Sequence, residues 1–211
     1  PVAMKIRNQL IVISLLRTVL NTMHRMVYPF LTIFSRGLGV DVVSISFALT
    51  GRNVVGIFGP LLALVSDVRG RKLGMLLGAG LFTLGAALVA IHPGVITFVA
   101  ALILGILGKS LFDPAVYAYF GDRVPYTQRG TAVAIAELAW SAAFIVGVPA
   151  MGLLIARFGW QAPFPLLAVL GAGMLFVIWR MIPADGARAN SVPALSNVRA
   201  VAASIPALAG I

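Results

Sequence analysis

Long apolar runs, separated by short loops that carry most of the charge, limit this chain to very few folds. A helix rises 1.5 Å per residue, so about 20 apolar residues cross the roughly 30 Å hydrocarbon core of a bilayer. Six runs meet that length: Leu10–Phe34, Val42–Ser66, Leu73–Ile91, Val95–Phe120, Thr131–Ala156 and Ala162–Ile182. Backbone polar groups find no water in lipid, so each run must satisfy its own hydrogen bonds as a helix. The predicted class is an all-α membrane protein of six transmembrane helices.

Charge placement supports the same reading. Only 10% of the residues are charged, against about a quarter in soluble domains, and 60% are hydrophobic. The net charge of +10 does not form a basic face for nucleic acid, because the cations are distributed among the loops. Lys5, Arg7, Arg69, Arg71, Lys72, Arg123, Arg129, Arg180, Arg188 and Arg199 fall on one side, with Arg36 and Arg157 on the other. Positive loops stay in the cytoplasm, so both ends are expected inside, in a plasma (inner) membrane. The basic lead before Leu10 is followed by no small-residue cleavage site, and the first span is expected to be retained. After Ile182 the composition changes. Residues 183–197 read as a cytoplasmic linker, and 198–211 are too few to cross, as though a seventh span began there.

Polar residues inside the runs carry the functional argument. Arg17, Arg25, Arg52, Lys109, Asp113 and Glu137 each cost about 2.5–3.5 kcal/mol at a helix centre on insertion scales. They are therefore expected to face one another or a watery cavity. Arg17, Asn21, His24 and Tyr28 follow i, i+4, i+7 and i+11 along one helical stripe, with Arg25 at its edge. Lys109 and Asp113 are four apart and within pairing reach, either as a structural ion pair or as part of a substrate and proton pathway. Arg17 and Glu137 either join that pathway or snorkel to the cytoplasmic interface. For His24 a hydrogen-bonded filler outweighs a proton carrier. Arg25 and Arg52 approach mid-membrane from the outer side and are the strongest candidates for meeting an anion or an acid from elsewhere. The buried cations exceed the buried carboxylates by two.

The loop Asp67-Val68-Arg69-Gly70-Arg71-Lys72 resembles the cytoplasmic loop signature D-[RK]-x-G-R-[RK] of the major facilitator superfamily, with Val68 where a cation is usual and Ala63 where a glycine usually opens the motif. Asp122 to Gly130 is similar to the family pattern D-x-x-P-x-x-x-R-G, with one extra residue before Arg129. Gly147-Val148-Pro149-Ala150-Met151-Gly152 is similar to the exporter signature G-P-x-x-G-G, with Val148 interposed. Gly147, Pro149 and Gly152 are expected to mark a bend or tight crossing.

The resemblance implies a major-facilitator-type N-terminal bundle of two inverted three-helix repeats over residues 1–182. A weak internal echo at an offset of 89 residues fits this, pairing Val27-Tyr28 with Val116-Tyr117. It also implies that the first and fourth helices line a cavity. Asp67, Gly70, Arg71, Lys72, Asp122 and Arg129 are then expected to form a cytoplasmic gating cluster. The activity implied is alternating-access export of small or drug-like molecules, coupled to protons and completed by a second six-helix half. An anion or metabolite uptake carrier of the same superfamily, or a non-transporting six-helix scaffold, is the alternative.

Enzyme chemistry finds little support. The chain has no cysteine and two histidines, and Gly108-Lys109-Ser110 lacks the earlier glycine of a phosphate-binding loop. No cofactor, metal or nucleic-acid partner is implied. Bilayer, small solute and proton are the expected partners.

Overall fold

The computed structural model describes residues 6–59, 61–62 and 69–183, and the described residues contain helices and turns but no strand. The helices are α1 (Ile6–Met26), α2 (Leu31–Leu38), α3 (Val42–Gly56), α4 (Arg71–Ile91), α5 (Val95–Arg123), α6 (Arg129–Ala142), α7 (Val148–Phe158) and α8 (Pro163–Met181). Four helical stretches are long and apolar enough to cross a membrane: α4, α5, the continuous Tyr126–Phe158 and α8. The expected first span is broken rather than straight, with α2 turned 68° from α1. Pro29 lies in that break; it donates no backbone N–H and disfavours helix at Tyr28. The expected second span begins with α3, capped by the Asp41 carboxylate, which accepts from the Ser44 N–H at 3.1 Å. Its end, including Ser66 and Asp67, lies outside the described residues, as do the expected linker beyond Pro183 and the segment 198–211.

Small residues set how closely the helices approach. α4 packs most extensively against α5 and α8. A Cβ on Gly78 would sit 2.6 Å from the Gly108 carbonyl oxygen, and a Cβ on Gly108 equally close to the Gly78 carbonyl. The two backbones therefore touch at a point where only glycine fits. This contact explains the Gly108-Lys109-Ser110 run as helix packing, and it seats Lys109 one residue past the crossing.

A change of helix type falls in the fifth span where the glycine and proline residues cluster. Ala143–Gly147 is a π-helical turn in which the Val148 N–H reaches back five residues to Ala143 O. Pro149 follows in the first turn of α7, where its missing N–H and its ring are accommodated by the widened turn. A Cβ on Gly147 would lie 2.9 Å from Thr22 Cγ2, and one on Gly152 2.7 Å from the Phe30 ring. Both glycines thus let this span lie close to the first. At the end of the bundle near α2, the rings of Phe34, Phe98, Trp160 and Phe164 pack edge-to-face or tilted, with centroids 5.1–6.4 Å apart. Trp160, in the short turn between α7 and α8, packs into this cluster and against Gly37.

Candidate functional site: a buried charge network between three helices

The polar stripe of α1 meets α5 and α6 in one connected network. Arg17 is 1% exposed, and each nitrogen of its guanidinium is engaged. Nε donates to Asp113 Oδ1 at 3.0 Å, one terminal nitrogen to the Ala136 carbonyl at 2.8 Å, and the other to the Tyr117 hydroxyl at 2.8 Å. Glu137 Oε1 lies 3.4 and 3.5 Å from the two terminal nitrogens, and the Tyr117 hydroxyl donates to the same oxygen. The planar fork of an arginine reaches this many acceptors without rearrangement, which a lysine cannot do.

Asp113 joins this half of the network to the next. Its second oxygen accepts from Lys109 Nζ at 2.5 Å, and the same ammonium donates to Asn21 Oδ1 at 2.7 Å. Lys109 also lies 4.6 Å from the centre of the Trp140 ring. Two cations, Arg17 and Lys109, balance two carboxylates, Asp113 and Glu137. The set is neutral as a whole, which is what makes its burial affordable. Its ends differ in exposure: the Asp113 side chain is 18% exposed and that of Glu137 48%. Pro114, inside α5 and next to Asp113, removes one backbone bond beside the carboxylate that both cations share.

The remaining stripe residues form a second group nearer the α1–α2 break. Arg52 is 1% exposed and donates to the Tyr28 hydroxyl at 2.6 Å. His24 stands edge-on to Tyr28 and Trp140 at centroid distances of 6.4 and 6.3 Å, and it makes no hydrogen bond among the described residues. The aromatic setting replaces the hydrogen-bonded role expected for it. Arg25 stacks on Trp140 at 4.3 Å from the ring centre. It lines a cavity of about 340 Å³ together with Trp140, Ser141, Phe144 and Ile145. A smaller cavity touches His24 and Arg52.

The loop residues expected to form a gating cluster are brought together in part. Arg71 Nε lies 3.5 Å from Asp122 Oδ2, and Lys72 donates to the Trp179 carbonyl at 2.7 Å. Arg129 bonds the Gly121 and Val124 carbonyls at 2.7 and 3.2 Å, closing the end of α5. Gly70 has φ +105°, a left-handed conformation that side chains resist, just before α4 begins. Asp67 lies outside the described residues.

Two members of the network, Tyr117 and Trp140, were not expected from the sequence. The signal was present: Tyr117 is four residues past Asp113, and Trp140 three past Glu137, on the same helical faces. Gln9 and Tyr119, bonded at 2.8 Å between α1 and α5, carried no comparable pattern.

Comparison with known proteins agrees with this architecture. The chain is 33% identical over 125 residues to the uncharacterized MFS-type transporter YwfA of Bacillus subtilis, covering 59% of this chain and 30% of that one. It is 35% identical over 98 residues to multidrug resistance protein 2 of Bacillus subtilis, covering 46% and 24%. The chain thus spans less than half the length of these relatives. The in meso crystal structure of the POT family transporter PepTSo superposes with a TM-score of 0.68 at 19% identity, over 87% of this chain and 40% of that one, a likeness of fold. The family model for the Major Facilitator Superfamily matches residues 13–207. This multi-pass membrane chain belongs to the Major Facilitator Superfamily, a family of transporters and not of enzymes.

Proposed function

We propose that the chain forms the N-terminal six-helix half of a proton-coupled exporter of small or drug-like molecules, working by alternating access. Residues 1–182 are its bundle and 183–197 a cytoplasmic linker. Residues 198–211 begin a seventh span that leads into a second bundle. Both ends face the cytoplasm across a plasma (inner) membrane. The observation that carries the reading is Asp113, a carboxylate shared by Arg17 and Lys109 on two different helices.

Protonation of Asp113 would leave two buried cations sharing Glu137 alone, and like charges held close in a dry site repel strongly. Proton binding therefore favours a separation of α1 from α5, and deprotonation draws them together. That is a local event with the leverage to bias a rocking motion. Glu137 and Tyr117 supply the water-reachable end of the path, and Lys109 and Asn21 its inner end. The Arg71–Asp122 contact, with Gly70, Lys72, Arg129 and Asp67, serves as a cytoplasmic latch that is weak enough to open, about 0–1 kcal/mol for a partly exposed pair. Export is supported by the glycine-proline run and π-helical turn of the fifth span and by the likeness to a multidrug resistance protein.

The reading is tested by reconstituting the full-length protein with a solute found in a thermal-shift screen. Accumulation should follow an imposed pH gradient and collapse when an ionophore dissipates it. Accumulation that persists without the gradient would remove the proton from the mechanism.

A further inference from the structure

Four of the six carboxylates of the sequence lie among the described residues, and each has a place. Asp113 and Glu137 are taken by Arg17 and Lys109, Asp122 lies against Arg71, and Asp41 caps α3. Asp67 and Asp185 lie outside the described residues. Arg25 and Arg52 are therefore left without a carboxylate among the described residues. Each has a buried Nε that meets no hydrogen-bond acceptor there. Arg52 at least donates to Tyr28, whereas Arg25 has no side-chain hydrogen bond at all among the described residues.

The surroundings of Arg25 favour a ligand over a structural role. Its guanidinium carbon lies over the Trp140 ring, 4.3 Å from the ring centre, with the Phe144 ring centre at 6.0 Å. Stacking uses the face of the guanidinium and leaves its edge, where the N–H donors point, open to a planar acceptor. The adjoining cavity of about 340 Å³ is within the size range of small-molecule sites, and its walls are Trp140, Phe144 and Ile145 with the Ser141 hydroxyl. A fixed fork of donors, an aromatic floor and apolar walls together select a flat acidic group attached to an apolar body.

We propose that Arg25, held on Trp140, is the carboxylate-binding group of a site for small amphipathic organic anions, with Phe144 and Ile145 receiving the apolar part. This deepens the transporter reading and rests on it for its physiological meaning. Arg52, which donates to Tyr28, adds positive potential to its inner side, and His24, edge-on to Tyr28 and Trp140, adds shape.

Calorimetric titration of the full-length protein in detergent with benzoate, benzamide and benzyltrimethylammonium tests the site without requiring transport. Benzoate should bind about tenfold more tightly than benzamide, the advantage of a charge-assisted hydrogen bond over a neutral one, and benzyltrimethylammonium should bind most weakly. Arg25→Gln should remove the preference for benzoate. Arg25→Lys keeps the charge but loses the stacked fork, and should retain only part of the preference. It also serves as the reading should Arg25→Gln fail to fold. Equal binding of benzoate and benzamide by the wild type, a preference for the cation, or an unchanged preference in both variants would overturn the assignment. An intact benzoate preference in a protein whose accumulation ignores the pH gradient would retain this site and discard proton coupling.

Discussion

Arg17→Ala should destabilise the bundle by about 3 kcal/mol, the lower end of the cost of breaking a buried ion pair by removing one partner. The loss is large because four groups lose a donor at once: Asp113, Glu137, Tyr117 and the Ala136 carbonyl. It falls at the lower end because Lys109 still holds Asp113 and because Glu137 is half exposed to solvent, where charge is screened. Arg17→Lys should recover only part of the loss, since an ammonium cannot reach the acceptors that the guanidinium serves on α5 and α6. Thermal unfolding in detergent measures both variants. A melting temperature for Arg17→Ala equal to that of the wild type would mean that the network is ornamental.

Asp113→Asn should also lower stability, because Arg17 and Lys109 are left with Glu137 alone, but its largest effect should fall on coupling. Asparagine keeps the shape of the side chain and imitates the protonated carboxyl permanently, so α1 and α5 lose the charge change that the mechanism needs. Downhill solute exchange should continue, while accumulation driven by a pH gradient should fall to the level of a protein-free membrane. Gradient-driven accumulation at the wild-type level would assign the proton to another group. Glu137 would be the first to consider, as the more exposed carboxylate of the pair.

The features legible in the sequence were those whose partners are local. Lys109 and Asp113 sit one helical turn apart, so their pairing follows from spacing alone, and the structure places their charged atoms 2.5 Å apart. The alignment of Arg17 with Asn21 on one face was equally readable, and the Gly147 and Pro149 positions fall at a π-helical turn within a continuous span. Partnerships across helices were not. Nothing in the spacing says that Arg17 reaches the backbone of α6, or that Arg129 closes α5 through carbonyls where a charge was expected. Such contacts depend on how far apart the helices pack, and for the first and fifth spans that distance is set by Gly147 against Thr22 and Gly152 against Phe30. Tyr117 and Trp140 were passed over for a different reason. In an apolar run an aromatic residue looks like packing material, and only the polar neighbours one turn away mark it as something more.

The account depends on the network facing a watery cavity and not hydrocarbon, and the chain's lack of cysteine permits a direct measurement. Ser141 lies on the cavity wall one turn beyond Glu137, whereas Val169 and Phe176 project from α8 at 70% and 64% exposure. Single cysteines at these three positions, in nanodiscs open to solvent on both sides, are treated with a water-soluble maleimide. The thiolate that reacts exists only where water reaches it, so Ser141→Cys should label about tenfold or more faster than Val169→Cys and Phe176→Cys. Labelling of Ser141→Cys no faster than the two α8 positions would place the charge network against lipid and contradict the account.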